Sequence, residues 1–600
     1  MYTGRSLVVA VSIGVIAMVL LGKLFLIQVA DDSYLRKAER NAIQRVVDHP
    51  YRGLVYDRNN ALMVFNDPVF DLMVIPKDFS LKDTSRFCTL FDIEKTYLIE
   101  NFNAAKEYSW VKPSPLIKQI SKEDFAKVQD FLIDYKGLFV MTRSVRSYPQ
   151  SAAANALGYI GEISGPQLSQ DKSGYYVQGD YVGQSGLESY YEPELRGRKG
   201  VKYKLVNVRG IEKGAFKNGD LDTISFPGEN LQSTIDLNLQ LYGEHLMEGK
   251  RGSVVAIEPK TGEILTIISS PTYDPNVLKG AKFGQNYEIL NSDQEKPLFN
   301  RPIMAMYPPG SIFKIVQSLI GLQEGILTPN TTFSCNKALV NCHNHPSPVN
   351  LFGAIRNSCN PYYHQAFRQI INQDISSNTY TDTQIGLDKW RADVLKFGLG
   401  NRLGIDMHGE KGGSIPSSEL YNRIYGEGRW KYSTIYSLSI GQGEMLVTPL
   451  QMANLAAIFA NKGFFYTPHL IKSINGDASR IPEKFKRKRD SGIDAGHFDM
   501  VQNAMVEALS GTATRAIMTD ITIAGKTGTA QNPAGEDHSV FIAFAPKEDP
   551  KIAIAVYVEN AGWGGRAAAS TASLLIEKYL TGGIDRPQLE DYVLKGEFIY

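Results

Sequence analysis

An apolar run near the N-terminus is long enough to cross a membrane once. Residues 7–30 are apolar apart from Lys23 and one glutamine, and about 20 residues suffice for a spanning helix. A cleaved signal peptide is the alternative, but no small-residue cleavage site follows a short apolar core. Arg5 precedes the run, and Asp31 and Asp32 follow it. This charge difference favours a cytoplasmic N-terminus and an exported remainder.

A second apolar run follows Ser311. Two prolines and a glycine stand immediately before it, Gly325 lies beyond it, and the run is too apolar for a surface helix. It therefore predicts a buried helix that begins at Ser311. The spacing of three residues places Lys314 on the same face as Ser311. A buried lysine with a lowered pKa can accept the proton of a serine nucleophile, whereas a helix-capping serine with a solvated lysine is the alternative.

Helical spacing on both sides of residues 358–360, Ser-Cys-Asn, predicts a tight link between two helices. The first helix covers residues 350–356 and the second covers residues 362–371, and Pro361 opens the second. A link of this kind can point the side chains of Ser358 and Asn360 into a cleft.

Alternating apolar positions predict strands around the sequence Lys-Thr-Gly-Thr at residues 526–529. Residues 521–524 begin one strand, and residues 539–545 and 551–558 form two more. Lys526 and the neighbouring threonine hydroxyls can bind a carboxylate, while Gly528 allows a substrate backbone to lie along the strand edge.

Each motif has a second copy in the chain. Ser-Gln-Asp-Lys at 169–172 lies in a polar stretch for which we predict a loop without a helix. Ser-Ser-Asn at 376–378 lies in a polar run, 373–383, that predicts solvated loop. Lys-Thr-Gly at 260–262 joins two predicted strands, 253–257 and 263–269, as a turn. We therefore predict that the site is formed by the other three copies.

Ser-x-x-Lys together with Lys-Thr-Gly is a signature of penicillin-binding proteins and serine β-lactamases. The chain resembles the class B penicillin-binding proteins, and among them the elongation type, over nearly its whole length. The other blocks that carry the resemblance are residues 52–58, 183–188, 195–197, 234–236, 441–443, 448–451, 524–531 and 537–546.

The resemblance implies an α+β fold in three parts. Residues 1–30 would form the cytoplasmic tail and transmembrane anchor, and residues 31–230 an elongated, non-catalytic pedestal of the dimerisation type. Residues 231–600 would form the transpeptidase domain, a five-stranded antiparallel sheet packed by helices, with its last helix at 564–580 and a short tail. We find no glycosyltransferase motif in residues 31–230.

The resemblance also implies an activity, which is cross-linking of peptidoglycan stem peptides by a D,D-transpeptidase during cell elongation and shape maintenance. Ser311 would form the acyl-enzyme, with its N–H and that of Thr529 as oxyanion hole, and β-lactam antibiotics would acylate the same serine. The implied catalytic residues are Ser311, Lys314, Ser358, Asn360 and Lys526, and the implied substrate-binding residues are Thr527, Gly528 and Thr529. No cofactor is expected for catalysis.

The expected partners follow from the same resemblance. A chain without a polymerase domain needs one from elsewhere, so we expect a SEDS-family membrane glycosyltransferase of the elongation complex. We expect the protein in the bacterial inner membrane, with the catalytic domain in the periplasm. A formal net charge of +1 with 21% charged residues does not favour nucleic acid. A division-type transpeptidase, a D,D-carboxypeptidase or β-lactamase-like hydrolase, and a scaffold that mainly activates a glycosyltransferase remain alternatives.

Four cysteine and histidine residues cluster in sequence between the first two motifs. Cys335, Cys342, His343 and His345 are suitable ligand types for a structural zinc ion. A disulfide between Cys335 and Cys342 is the alternative in an oxidising compartment, and an unlinked loop is a third possibility.

Overall fold

The computed structural model describes residues 3–30, 43–80, 84–132, 135–206, 212–280 and 282–599. The chain divides into two compact units. The smaller unit comprises Met1–Gly53 and Arg196–Glu229, and the larger comprises Leu54–Leu195 and Asn230–Tyr600.

The smaller unit contains the predicted anchor. An α-helix, Thr3–Phe25, continues into a π-helical turn, Leu26–Ala30. The most apolar 18-residue stretch within its segment Gly4–Gln28 has a mean hydropathy of 2.5, and the segment is long and apolar enough to cross a membrane. Asp31 and Asp32 lie outside the described residues, so the orientation stays a prediction. The other elements among the described residues of this unit are three antiparallel strands and one 3₁₀ turn: Ile43–Asp48, Gly200–Val206, Glu212–Ala215 and Phe216–Gly219.

The N-terminal part of the larger unit is built on a six-stranded sheet. Five of its strands lie in the order Ile471–Ile474, Leu231–Ser233, Val55–Tyr56, Leu62–Val74 and Ser114–Ile120, and Leu138–Ser147 also pairs with the long fourth strand. Leu231–Ser233 thus joins segments on both sides of the boundary expected near residue 230. The boundaries of the three predicted parts stay a prediction.

Helices and a small second sheet complete this part. Buried aromatic residues such as Phe79, Phe87 and Phe102 fill the core between the sheet and the first three helices. The helices are Thr84–Phe91, Lys95–Tyr108, Lys122–Leu132, Ala154–Leu157, Gly165–Gln170, Gly186–Tyr190 and Glu192–Leu195. The second sheet pairs Ile160–Glu162 with Tyr181–Gly183.

The C-terminal part of the larger unit contains the five-stranded antiparallel sheet that the resemblance implied. Its strands lie in the order Ile264–Ser270, Gly252–Ile257, Ile552–Val558, His538–Ala545 and Ala524–Ala530. Alternate residues face opposite sides of a strand, and here both sides are buried: Val255 belongs to one hydrophobic core and Val254 to another. Helices therefore cover both faces. Pro449–Ala460 packs on one face, and Leu237–Leu246 and Ala567–Thr581 pack on the other.

The remaining α-helices of this part are Phe283–Ser292, Arg301–Met304, Lys314–Gln323, Leu351–Arg356, Asn360–Ile371, Thr379–Lys396, Ser418–Tyr425, Tyr432–Ile435, Glu483–Lys486, Ala495–Thr512 and Pro587–Lys595. The 3₁₀ turns are Pro275–Leu278, Gly310–Phe313, Tyr436–Ile440, Ala478–Arg480 and Thr514–Ala516. Two further strands, Phe464–Tyr466 and Lys488–Asp490, form a separate pair.

Three local predictions were wrong. Ala567–Thr581 is not the last helix, because Pro587–Lys595 follows it and buries Val593 in the core. Ser169 lies in a short helix, Gly165–Gln170, which a capping box between Ser164 and Gln167 stabilises. The polar run 373–383 is not all loop either, because the side chain of Asn378 caps the helix that begins at Thr379.

Candidate active site

Ser311 lies in a 3₁₀ turn, Gly310–Phe313, that leads directly into the helix Lys314–Gln323. The prediction of a buried helix here is confirmed, although its first turn is tighter than an α-helix. Gly310 has φ of +59°, and an added Cβ would lie 2.7 Å from the carbonyl oxygen of Thr529. The glycine therefore allows the serine turn to approach the strand Ala524–Ala530 closely.

Lys314 is fully buried, and its amine makes three hydrogen bonds. It donates to the carbonyl oxygen of Ser358 at 2.7 Å, to Ser358 Oγ at 3.1 Å and to Asn360 Oδ1 at 2.5 Å. Lys314, three residues after Ser311, is thus hydrogen-bonded to both polar residues of the second motif. Asn360 donates through Nδ2 to the carbonyl of Asn341 at 2.7 Å, so its amide is held in place from both ends.

Ser358 sits in the predicted link between two helices, Leu351–Arg356 and Asn360–Ile371. Its φ is +52°, a conformation that non-glycine residues seldom adopt and that is concentrated at functional sites. This conformation places Ser358 Oγ between two amines, because Lys526 Nζ donates to the same oxygen at 3.0 Å. All three motifs therefore meet at one hydroxyl group.

Burial changes the acid–base properties of both lysines. Desolvation lowers the pKa of Lys314 to about 8, against the opposing effect of the nearby thiols of Cys342 and Cys359. Desolvation, followed by the positive charge of Lys314, lowers the pKa of Lys526 well below its ordinary value. A substantial fraction of Lys314 is thus neutral near physiological pH, and a neutral amine can accept a proton.

The third motif lies on an edge strand of the five-stranded sheet. Among the described residues, Ala524–Ala530 pairs on one side only, with His538–Ala545. Thr527 Oγ1 donates to Thr512 Oγ1 at 3.0 Å. An added Cβ on Gly528 would lie 3.1 Å from the carbonyl oxygen of Pro309, so this glycine also keeps the strand close to the serine turn. The free edge can accept an extended peptide as a further strand.

Sequence reasoning attached no role to the segment 441–443, but the structure places it against the site. The N–H of Gly310 donates to the carbonyl of Gly441 at 2.9 Å, and Gln442 Nε2 donates to the carbonyl of Thr529 at 3.3 Å. These bonds hold the serine turn and the edge strand in register. No sequence signal beyond the resemblance of this block could have shown the contact.

The second copies of the motifs lie elsewhere. Ser169 is exposed and donates to the carbonyl of Pro166 at 2.7 Å. Lys260 lies in a turn and pairs with Asp549 at 2.5 Å. Asn378 is a helix cap.

The cysteine and histidine residues form a compact group beside the second motif. Ligand atoms of Cys335, Cys342, His345 and Cys359 all lie within 4.8 Å of one another. His343 is not in this group, and Cys359, from within the second motif, takes the fourth place instead. His345 Nδ1 lies 2.7 Å from the carbonyl of Pro346, and its Nε2 faces the group, 3.5 Å from Cys342 Sγ, so Nε2 is the nitrogen that can act as a ligand. The four cysteines of the chain are free thiols in this structure, so it contains no Cys335–Cys342 disulfide.

The serine turn, the two buried lysines and the edge strand define a serine enzyme that forms acyl intermediates. Residues 252–577 match the family described as penicillin binding protein transpeptidase domain, and residues 47–233 match the penicillin-binding protein dimerisation domain. The first match alone spans more than half of the chain. The chain therefore belongs to the penicillin-binding protein transpeptidase family.

Relatives and solved structures agree with this assignment. Peptidoglycan D,D-transpeptidase MrdA of Acinetobacter baumannii is 29% identical over 90% of this chain and 81% of its own length. PBP2 of Helicobacter pylori, solved in complex with MreC, has a TM-score of 0.74 and 26% identity, and the match covers 90% of this chain and all of that one. A chain from a structure described as a peptidoglycan synthase complex that coordinates polymerization and crosslinking has a TM-score of 0.69 and 25% identity over 97% of this chain and all of that one.

Proposed function

We propose that this protein is a peptidoglycan D,D-transpeptidase of the cell-elongation type. The observation that carries the proposal is the convergence of Lys314 and Lys526 on Ser358 Oγ beside the nucleophile turn. The MrdA relatives bear the name of this activity. The donor would be a stem peptide that ends in D-Ala-D-Ala.

Substrate binding uses the free edge of the sheet. The extended stem peptide lies antiparallel to Ala524–Ala530, and its terminal carboxylate receives hydrogen bonds from Lys526, Thr527 and Thr529. The amide of Asn360 hydrogen-bonds the peptide backbone. This arrangement brings the penultimate carbonyl to Ser311.

Acylation then proceeds by proton transfer through the buried groups. Neutral Lys314 accepts the proton of Ser311, whose oxygen attacks the penultimate carbonyl carbon. The N–H groups of Ser311 and Thr529 stabilise the oxyanion, and one such donor typically contributes about 3 kcal/mol. Ser358 passes a proton to the leaving D-alanine, and the C–N bond breaks to leave an ester on Ser311. An amine from a neighbouring strand attacks this ester, which forms the cross-link and returns the proton to the serine.

The decisive experiment treats the purified protein with benzylpenicillin and maps the adduct by mass spectrometry. We expect one stable penicilloyl group on Ser311. Incubation with a D-Ala-D-Ala pentapeptide and an amine acceptor should then release D-alanine and form the coupled peptide. An adduct on Ser169, or hydrolysis without coupling at any acceptor concentration, would contradict the proposal.

We further propose the partner and the orientation. The protein would lie in the inner membrane with its N-terminus in the cytoplasm and its catalytic part in the periplasm. A SEDS-family glycosyltransferase would supply the glycan strands, because a shared complex raises their concentration at the cleft. The structures of related chains in complexes with MreC or within a peptidoglycan synthase complex support an assembly of this general kind. Crosslinking from the segment Gly4–Gln28 should capture that partner, and depletion should give rounded cells. Filaments with blocked septa would indicate division instead.

A structural zinc ion fits the group formed by Cys335, Cys342, His345 and Cys359. Three sulfurs and one imidazole nitrogen are a common ligand set for structural zinc. Ligand atoms on a tetrahedral zinc ion lie roughly 3.5 Å apart, so the separations of up to 4.8 Å need only a small inward shift. The ion would link the loop that contains Cys335 and Cys342 to the residue between Ser358 and Asn360. Its function would be to hold the second motif in place, without any part in the chemical steps.

A further inference from the structure

A cavity outside the catalytic cleft lies where three segments of the larger unit meet. Its volume is about 660 Å³, within the range of pockets that hold small ligands. Its walls come from the pair Ile160–Glu162 and Tyr181–Gly183, from the strand Ser114–Ile120, and from the helix Phe283–Ser292. The described residues that line it include none of the catalytic or zinc-binding candidates. The proposed function therefore leaves it unexplained.

Aromatic rings form the apolar side of this cavity. The rings of Phe283 and Tyr287 are stacked, at 5° between their planes and 6.2 Å between centroids. Tyr159 lies 6.0 Å from the first ring and 6.3 Å from the second. All three are only partly buried, unlike a closed aromatic core. The faces of such rings carry negative potential and attract the polarised C–H groups on the flat face of a pyranose sugar.

The polar side of the cavity suits a neutral ligand. Its charged groups are already paired, because Lys118 Nζ donates to Glu162 Oε2 at 2.6 Å. The other polar groups are amides and phenols: Gln167 Nε2, for example, donates to Gln184 Oε1 at 3.1 Å. Burial, with a smaller effect of Tyr287, raises the pKa of Tyr159 to about 12, so its hydroxyl stays protonated. Amide and phenol groups match sugar hydroxyl and acetamido groups.

Gln119 connects the walls. Its backbone has φ of +56°, a strained conformation, and its N–H donates to Asp71 Oδ1 at 2.8 Å. Its side chain accepts from the N–H of Gly280 at 2.5 Å and donates to the hydroxyl of Tyr181 at 2.5 Å. Backbone strain of this kind is concentrated at functional sites. The hydrogen bonds of Gln119 also fix the cavity walls relative to one another, so little conformational entropy is lost when a ligand binds.

We propose that this cavity binds a saccharide, namely a stretch of about two N-acetylated sugars of a neutral glycan. That this glycan is the backbone of the polymer whose peptides are cross-linked rests on the proposed function. Tyr159 lies in the segment that matches the dimerisation domain, and Tyr287 lies in the segment that matches the transpeptidase domain. A glycan bound here would contact both segments and would keep its stem peptides at a high effective concentration.

Two glycines provide matched variants. Gly284 and Gly496 are each the second residue of a helix, Phe283–Ser292 and Ala495–Thr512, and an added Cβ meets nothing within 4 Å at either position. Of these two glycines, Gly284 lines the cavity and Gly496 does not. Gly284→Trp should therefore fill the cavity, whereas Gly496→Trp makes the same change away from it. Neither change lowers the helix propensity of its position.

The experiment titrates the full-length protein in detergent with the N-acetylglucosamine tetramer chitotetraose. We expect saturable binding by wild type and Gly496→Trp, and affinity at least roughly tenfold lower for Gly284→Trp. Prior acylation with benzylpenicillin should leave this binding unchanged.

Any of four outcomes would overturn the proposal. These are no saturable binding, equal affinity for maltotetraose, unchanged affinity of Gly284→Trp, and occupation of the cavity by a D-Ala-D-Ala peptide in place of the sugar. The yield of the benzylpenicillin adduct in the same preparations tests the proposed function separately.

Discussion

The hydroxyl oxygen of Ser358 lies 3.0 Å from the amine nitrogen of Lys526. The same oxygen lies 3.1 Å from the amine of Lys314, so a single hydroxyl connects the helix that follows the proposed nucleophile, Ser311, with the strand proposed to bind substrate. A hydroxyl group can donate and accept at once. In the proposed mechanism Ser358 can therefore carry a proton from Lys314 toward the leaving group, while Lys526 would bind the substrate carboxylate.

Replacement of Lys314 by arginine tests whether the lysine acts as the base. A guanidinium group does not lose its proton in proteins, so Lys314→Arg should acylate roughly 10²- to 10⁴-fold more slowly than wild type, about as slowly as Lys314→Ala. The measurement is the second-order rate of labelling by a fluorescent penicillin. A rate for Lys314→Arg near that of wild type would show that a positive charge, and not a base, is needed there.

The lowered pKa of Lys314 predicts a pH dependence. Below a pKa of about 8 the amine is mostly protonated and cannot accept the serine proton. The acylation rate should therefore increase about tenfold per pH unit between pH 6 and 7 and level off above pH 8. Rates measured with the same fluorescent penicillin from pH 6 to 9 check this. A flat profile, or a rate that falls across this range, would contradict assignment of the base to Lys314.

The two copies of the second motif give a matched pair of asparagine variants. Asn360→Ala removes an acceptor that stabilises the ammonium formed when Lys314 takes the serine proton. Acylation should therefore slow by at least about tenfold, because a hydrogen bond to a charged group contributes about 1.5–3 kcal/mol. Asn378→Ala removes a helix cap, so stability should fall by about 1 kcal/mol while acylation stays unchanged. Labelling kinetics and thermal melting separate the two effects. The reverse pattern would show that residues 376–378 form the functional copy.

Two glycines with positive φ test the close contact between the Ser311 turn and Thr529, whose N–H groups are proposed to form the oxyanion hole. At Gly310, φ is +59° and an added Cβ would lie 2.7 Å from the carbonyl oxygen of Thr529, whereas at Gly325, φ is +69° and nothing lies within 4 Å. Both Gly310→Ala and Gly325→Ala should lose about 1–2 kcal/mol of stability from backbone strain. Only Gly310→Ala should also lose acylation, because the added methyl separates the N–H groups of Ser311 and Thr529. Equal acylation by both folded variants would rule out this role for the contact.

The sequence predicted those parts of the site that depend on local chemistry. Prolines and a glycine before Ser311 mark where a helix can begin, and the alternating pattern at residues 521–524 marks a strand, which begins at Ala524, three residues later than predicted. The five-stranded sheet itself was implied by the family resemblance. The positive φ of Ser358 and the contact of Gln442 with Thr529 could not be predicted. Both depend on how segments far apart in the sequence pack, and a single sequence contains no record of that packing.

The fourth member of the metal group also could not be identified from a single sequence, because it depends on packing between distant segments. His343 and His345 are equally suitable by residue type and by distance along the chain, and Cys359 lies 14 residues or more beyond them. The link between two helices brings Cys359 back to the loop, so that its sulfur and not the His343 ring completes the group. The terminal helix Pro587–Lys595 was missed for a related reason, because its apolar residues are few and gain their stability from the core that they cover.

Metal analysis of matched variants tests the zinc proposal. The native protein should contain about one zinc ion per chain, and Cys359→Ala should lose it, because the three ligands that remain, all in one loop, bind zinc far more weakly than four. His343→Ala should retain the ion, since this ring lies outside the group of four ligand atoms. Loss of zinc should also lower acylation, because Cys359 stands between Ser358 and Asn360, both of which hydrogen-bond the amine of Lys314.

Thiol counting under denaturing conditions, with a chelator present, distinguishes the remaining possibilities. Four free thiols in a chain that carried zinc support the metal site. Two thiols that appear only after reduction, and that peptide mapping assigns to Cys335 and Cys342, would establish a disulfide between them. Four free thiols without zinc would leave an unlinked loop. If zinc is lost from His343→Ala but retained in Cys359→Ala, the ligands are the four residues expected from the sequence, Cys335, Cys342, His343 and His345. Cys359 would then lie beside the metal group only because of packing.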